Sequence, residues 1–349
     1  MKRIKIGRRT VGDGQPCFII AEAGSNHDGK LSVALKLIDV AARAGADAVK
    51  FQTFRAKTLY PRSEARPRYL RKLGVTKTIF QTIADMEMPF EWIPKLTAHC
   101  LRRKILFLST PFDEECAAVL SPYMSAFKIA SYELTHVPLL KHLARTRKPL
   151  ILSTGGATLP EIDGVLSHLK GAALALMQCT AKYPAPPSSL NLRVIPAFKA
   201  RYRVPVGLSD HSLDATAAPV AAVALGANLL EKHFTLSRQM KGPDHSYALE
   251  PSELDRLVAS VRQAEAMLGD GRKRPHAVEG ELRDYRRGLF TIAALAEGET
   301  FTHANTAVLR RAGKPETDLP PVRLAEVLGS VSRRPLAAFH LLSESDVRL

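Results

Sequence analysis

Along the chain, short runs dense in aliphatic, β-branched and aromatic residues alternate with stretches whose apolar positions recur every three to four residues. That alternation is the signature of βα units wound around a parallel sheet. The runs are Cys17 to Glu22, Asp47 to Gln52, Ile105 to Ser109, Ala126 to Ala130, Pro149 to Ser153, Ala173 to Cys179, Val204 to Leu208 and Asn228 to Glu231. After the first, Leu31, Ala34, Leu35, Ile38 and Ala41 form one apolar stripe and predict a helix over about Leu31 to Arg43. A last helix is predicted over about Ser252 to Leu268. Eight strands separated by helices in ~230 residues predict a (β/α)8 TIM barrel rather than an open doubly wound sheet, since no GxGxxG turn follows the first strand.

The pattern breaks twice. Residues 54–88 are too long for an ordinary connection and predict a functional insertion, a lid or an interface. After Leu268 the run Gly269-Asp270-Gly271-Arg272-Lys273-Arg274-Pro275 predicts a linker, and the remainder of the chain reads as short strands and turns. The predicted organisation is a barrel over 1–269, a linker over 270–286 and a small module over 287–349. A module of ~60 residues buries little core alone and is expected to lean on something larger.

Composition adds few constraints. With 46% hydrophobic and 24% charged residues, the 349-residue chain has the balance of a soluble globular protein. Cys17, Cys100, Cys116 and Cys179 are scattered and form no CxxC pair, which points to a reducing cytoplasm rather than a disulfide or zinc framework. The N-terminal MKRIKIGRRTVGDG lacks the apolar run of a signal peptide. The weakly polar run Ala215 to Leu230 contains Pro219 and Gly226 and falls short of the ~18 apolar residues of a span, so no membrane partner is expected. The net charge of +16 is spread along the chain without aromatic-interleaved basic motifs. It fits an acidic small substrate better than nucleic acid, which is not expected as a partner.

The candidate chemistry sits at the strand ends: Glu22; Lys50 and Gln52; Thr110; Lys128, Ser131 and Glu133; Ser153, Thr154 and Gly155; Tyr183; Ser209, Asp210 and His211; and His233. Each has an ordinary structural role available. A single histidine there is commonly a hydrogen-bonded core residue, Lys50 could snorkel, and Glu22 and Glu133 could pair with the lysines for stability alone. In a barrel, however, all these ends converge on one mouth, and a ring of buried polar groups implies a ligand that satisfies them. Lys50 and Lys128 supply fixed positive charge. Thr110, Ser131, Ser153, Thr154 and Ser209 supply donors for phosphate or carboxylate oxygens. His211 and His233 could hold one divalent ion.

Taken in order, FIIAEAGSNHDG, GADAVKFQTF, FLSTPFD, FKIASYE, ILSTGG, CTAKYP, GLSDHS, EKHFT and GPDHSYALEP resemble the sialic acid synthase (N-acetylneuraminate synthase) family. The tail RRGLFTIAALAEGETFTHANTAVLRRAG resembles that family's C-terminal β-clip antifreeze-like (SAF) domain. The resemblance spans nearly the whole chain. It implies a cytoplasmic enzyme that condenses phosphoenolpyruvate with an open-chain N-acetylated hexosamine such as N-acetylmannosamine, giving a nine-carbon 2-keto acid and phosphate. N-acetylneuraminate is the first expected product; pseudaminate or legionaminate, made from a 2,4-diacetamido-2,4,6-trideoxyhexose, is the alternative.

Carried onto matching positions, the resemblance assigns phosphoenolpyruvate to Lys50, Thr110, Lys128, Ser131, Ser153 and Ser209. It assigns a divalent metal, Mn²⁺ before Mg²⁺ or Co²⁺, to His211 and His233. It assigns the sugar to Gln52, Tyr183, Asp244 and Arg311, and the catalytic roles to Glu22, Lys50, Gln52 and Glu133, with Glu22 moving protons. It also implies a domain-swapped homodimer in which Arg311 reaches the partner's sugar. Two positions depart from the family pattern. Ala312 stands where proline is common after the arginine, and Ala181 stands where some members carry a phosphate donor. A barrel hydrolase or nuclease is the less favoured reading, because it needs more metal ligands than the strand ends offer and no HExxH is present.

Overall fold

The computed structural model describes residues 2–62, 77–313 and 318–348. The chain divides into two compact units, Met1–Gly269 and Asp270–Leu349. The first opens with a hairpin of β1 (Ile4–Ile6) and β2 (Arg9–Val11), whose buried Ile4, Ile6 and Val11 join the main core.

Eight parallel strands follow: β3 (Phe18–Gly24), β4 (Ala48–Thr53), β5 (Leu106–Pro111), β6 (Phe127–Ile129), β7 (Leu150–Ser153), β8 (Leu174–Cys179), β9 (Val206–Asp210) and β10 (Leu229–His233). They hydrogen-bond in the order β5-β4-β3-β10-β9-β8-β7-β6, and β5 and β6 lie side by side to complete the ring. This is the (β/α)8 barrel that the apolar runs predict, each strand within about two residues of its run.

The helix Leu31–Ala44 buries Ala34, Leu37, Ile38, Val40 and Ala41, and ends on Gly45 at φ 81. The left-handed conformation there is open to glycine at no steric cost. Leu31 and Leu35, assigned to the stripe from periodicity, are only partly buried against it. The last helix of the unit is Pro251–Leu268. Among the described residues no helix is long and apolar enough to cross a membrane.

Strand ends are where sequence and structure part. β9 and β10 both run two residues past their apolar runs, because Ser209 and Asp210 pair with Glu231 and Lys232, and His233 pairs with Glu22. The polar residues there are therefore strand residues, and strand alternation decides which enters the barrel. Gly207 lets these two strands meet: a Cβ there would lie 2.3 Å from the Leu229 carbonyl oxygen. Of the insertion 54–88, the described parts hold the short helices Ala56–Leu59 and Ile79–Asp85; residues 63–76 of the expected lid or interface lie outside the described residues.

The second unit has the antiparallel pairs β11 (Arg287–Thr291) with β12 (Thr306–Arg310) and β13 (Val331–Ser332) with β14 (Val347–Arg348). Its core is small: Leu289, Leu295, Phe301, Leu319, Val327, Leu336, Leu342 and Val347. Within 270–286, read from sequence as a plain linker, there is a 3-10 turn at Ala277–Glu279 and a helical turn at Gly280–Asp284.

Candidate active site

Glu231, a residue absent from the sequence-based set, is the centre of the charged cluster. From β10 it reaches across the barrel interior to strands that are not its ladder neighbours. Its Oε2 lies 3.7 Å from Lys50 Nζ on β4, its Oε1 lies 3.5 Å from Lys128 Nζ on β6, and Ser209 Oγ donates to Oε1 at 2.9 Å. Burial pushes its pKa up, but the two lysines outweigh burial and hold it down at about 2. The signal was available in the sequence: Glu231 and His233 are two apart on one strand and so share a face.

Lys50 Nζ also sits 2.9 Å from Glu22 Oε2 and donates to Thr110 Oγ1 at 3.1 Å. Burial works against its charge, yet Glu22 and Glu231 raise its pKa above the ordinary lysine value. Lys128 Nζ donates to Ser153 Oγ at 2.7 Å and to the Ile129 carbonyl at 3.0 Å. For Lys128 burial prevails and the pKa falls. Next to it Ser131 Oγ accepts the Gly155 amide at 3.0 Å, and a Cβ on Gly155 would lie 2.8 Å from that oxygen. Thus Lys50, Thr110, Lys128, Ser131, Ser153 and Ser209, all on barrel strands or just past their carboxyl ends, form the floor of the barrel mouth: two cations and four hydroxyls.

Glu22 adjoins this floor through its contact with Lys50. Gln52 Nε2 donates to its Oε1 at 3.2 Å, and burial raises its pKa to about 7 despite Lys50. Asp244 joins the pair, since a Cβ built on Gly24 would meet Asp244 Oδ2 at 3.3 Å, Glu22 Oε1 at 3.6 Å and Gln52 Nε2 at 3.7 Å. Tyr247 donates to Asp244 Oδ1 at 2.6 Å. Behind them His245 Nε2 meets Asp28 Oδ1 at 2.9 Å and its Nδ1 meets Thr235 Oγ1 at 2.6 Å, tying two loops together.

His211 and His233 stand with ring centroids 5.6 Å apart. His211 Nδ1 donates to the Thr180 carbonyl at 2.8 Å, which leaves Nε2 bare in the neutral ring. Burial lowers the pKa of both, and for His233 the neighbouring His211 and Lys50 lower it further. His233 Nδ1 is buried with no partner among the described residues. Two neutral imidazoles with a bare nitrogen and an orphaned one fit a divalent cation. No group of three or more His, Cys, Asp or Glu side chains is assembled for a metal among the described residues. Tyr183 lies over this pair, 4.0 Å from the His211 ring by centroids and 42% exposed.

Two residues expected at the mouth, Thr154 and Asp210, are engaged elsewhere, and Glu133 is left without a partner among the described residues. Thr154 Oγ1 donates to the Met177 carbonyl at 2.9 Å, closing a backbone bond rather than facing a ligand. Asp210, one residue past Ser209 in strand register, pairs with Lys232 instead of joining the cluster. Glu133 is not paired with either lysine: its Oε2 is buried without a partner among the described residues, and burial raises its pKa to about 7. Arg311 belongs to the second unit, where its guanidinium meets Asp318 at 2.8 Å and donates to the carbonyls of Arg286 and Arg283.

A closed parallel barrel with buried lysines, hydroxyls and two neutral histidines at the carboxyl ends of its strands defines an enzyme of the (β/α)8 class. The chain matches the NeuB family over residues 37–273, and it belongs to that family, the group of sialic and related nonulosonic acid synthases. It is 46% identical over 335 residues to the spore coat polysaccharide biosynthesis protein SpsE of Bacillus subtilis, covering 90% of this chain and 89% of SpsE. The crystal structure of SpsE superposes with a TM-score of 0.67, covering 100% of this chain and 99% of that one at 42% identity. The N,N'-diacetyllegionaminic acid synthase of Campylobacter jejuni is 37% identical over 335 residues, 94% of this chain and 99% of its own. The N-acetylneuraminic acid synthetase of Leptospira borgpetersenii aligns at 34% identity with a TM-score of 0.71, covering 80% of this chain and 94% of that one.

Proposed function

We propose that this protein is a cytoplasmic nonulosonic acid synthase that joins phosphoenolpyruvate to an open-chain N-acetylated hexosamine. The observation that carries the reading is the floor of Lys50, Lys128 and four hydroxyls. Two buried lysines face two carboxylates, Glu231, which the lysines hold below the ordinary carboxylate range, and Glu22, which burial raises above it. With two lysines and four hydroxyls gathered at one mouth, the cluster is suited to an incoming polyanion.

In the reaction a bond forms between C3 of phosphoenolpyruvate and the aldehyde carbon, whose oxygen takes up a proton; water adds its oxygen at C2, and the bond from C2 to the bridging oxygen breaks, so that phosphate leaves with that oxygen and the water protons are passed on as C2 becomes the keto carbon. Lys50, Thr110, Lys128, Ser131, Ser153 and Ser209 together bind the phosphate and carboxylate oxygens of phosphoenolpyruvate. Glu22, with Gln52 and Asp244 beside it, holds or releases a proton at the face where sugar and water meet. Tyr183 shields that face from bulk solvent. Bound by His211 and His233, a divalent cation, Mn²⁺ foremost, supplies Lewis acidity toward the aldehyde oxygen.

N-acetylmannosamine is the first sugar to test. The 2,4-diacetamido-2,4,6-trideoxyhexoses are a second reading, favoured by the legionaminic acid synthase match along almost the whole chain. The decisive assay supplies phosphoenolpyruvate and Mn²⁺ with each sugar in turn and follows phosphate and 2-keto acid together. Release of both with one sugar is expected. No turnover with any of them sinks the proposal.

For residues 287–349 the resemblance to the antifreeze-like domain supports a module exchanged within a homodimer; light scattering tests the dimer, and the Arg311 variant below tests the exchange. If Arg311 serves the partner's sugar, Arg311→Ala raises the KM for the sugar several-fold and leaves that for phosphoenolpyruvate in place. An unchanged sugar KM removes Arg311 from the site.

A further inference from the structure

β9 and β10 carry a second buried ion pair that takes no part in the anion floor. Lys232 Nζ lies 2.5 Å from Asp210 Oδ2 and donates to the Ser212 carbonyl at 2.7 Å and to Ser212 Oγ at 3.3 Å. Asp210 Oδ1 in turn accepts the Ser212 amide at 2.8 Å, and its Oδ2 accepts the Ser212 hydroxyl at 3.1 Å. All three residues are buried. The residue between Asp210 and Ser212 is His211, so these bonds grip the chain on both of its flanks. Within that grip His211 Nδ1 donates to the Thr180 carbonyl at 2.8 Å, with Cys179 Sγ 3.9 Å from the same nitrogen, which leaves Nε2 with the free lone pair.

We propose that Lys232 is a positioning residue: by binding Asp210 and Ser212 from the neighbouring strand it locks the 210–212 turn, and so aims His211 for the divalent cation shared with His233. The proposal rests on the two-histidine reading above. Strand alternation explains the economy of the device. His233 enters the barrel, and Lys232, one residue earlier and on the opposite face, fixes the turn that carries the other histidine. β10 therefore sets both imidazoles, one by its own side chain and one through the lysine. A buried pair kept for stability alone could be replaced by neutral groups without consequence for the cation. A pair that aims a ligand could not.

The test measures Mn²⁺ binding to the full chain without substrates, by electron paramagnetic resonance of the free ion. It is run alongside ¹⁵N spectra of the histidine imidazoles in the metal-free protein. Lys232→Met is compared with the neutral double variant Asp210→Asn/Lys232→Met, which restores charge balance if the single variant folds poorly, and with His211→Ala. The double variant is expected to melt near the unaltered protein, to bind Mn²⁺ about tenfold to a hundredfold more weakly, and to lose the single Nδ1–H form of His211. A double variant with unaltered Mn²⁺ affinity and tautomer overturns the proposal while leaving the two-histidine site standing. Unaltered protein that binds Mn²⁺ no better than His211→Ala overturns the two-histidine site, and this proposal with it.

Discussion

At the lower end of the barrel Asp47 accepts the Ile19 amide at 2.9 Å and meets Arg9 at 2.6 Å and Arg262 at 2.9 Å. Arg262 continues to Glu265 at 3.0 Å and to the Cys17 carbonyl at 2.8 Å, and Glu265 accepts the Cys17 amide. Three residues further along, Lys50 stands at the upper end, where Glu133, His233 and His27 keep buried atoms without partners among the described residues. The same β-strands thus carry two kinds of ionic group. Below, each charge is used up by its neighbours and the network ties the last helix to the first barrel strand. Above, the lysines are close enough to be held but the ring around them is not closed, and burying such valences is costly unless a ligand completes them. Satisfaction, more than charge or burial, separates a structural cluster from a functional one.

Substitutions at the two ends should therefore fail differently. The largest effect is expected for Lys128→Met, which removes one of the two buried lysine charges of the proposed phosphoenolpyruvate site. We expect kcat/KM for phosphoenolpyruvate to fall roughly 10³-fold with the fold retained by circular dichroism. Turnover within about tenfold of the unaltered protein would make the upper cluster as structural as the lower one.

Glu133→Gln comes next and reads the unmet carboxyl directly. Burial raises the pKa of Glu133 to about 7, so its proton is bound more tightly folded than unfolded. The stability this contributes is full below the unfolded value and is lost as pH rises through about 7. Glu133→Gln should thus be more stable than the unaltered protein at pH 8, by on the order of 3 kcal/mol, with the gap shrinking toward pH 5. Urea denaturation at the two pH values measures this, and a gap that does not change with pH would mean that Glu133 finds a partner.

Asp47→Ala should cost about 2 kcal/mol of stability, discounted because Arg9 and Arg262 keep water contact. The kcat of the folded fraction should not move. A kcat that falls in proportion to stability would dissolve the distinction between the ends.

How much of this was legible beforehand differs between residues. The barrel could be read because eight apolar runs with helical spacing leave few other ways to bury their faces. Lys50, Lys128 and Ser209 could be placed at strand ends for the same reason. Asp210 and Glu231 could not be sorted by proximity to a strand end, since successive residues of one strand point to opposite faces and nearness to the end does not say which. The apolar runs stop at Leu208 and Glu231, yet the ladder continues to Asp210 and His233, because backbone pairing does not require apolar side chains. Arg311 was assigned from its motif, and the bonds it makes to Asp318 and to the carbonyls of Arg283 and Arg286 left no trace in that motif.

What the amino-acid order determined by itself is the succession of strands and helices, the polar character of the strand ends and the family motifs, since these are local or periodic properties of the chain. Only the tertiary structure decided that Glu231 spans two lysines across the barrel, that Lys232 turns away to hold the backbone around His211, and that Glu133 is left unpaired among the described residues. Those outcomes depend on distances between strands that are far apart in sequence. Closing the ring sets them, and no periodicity within one strand encodes them.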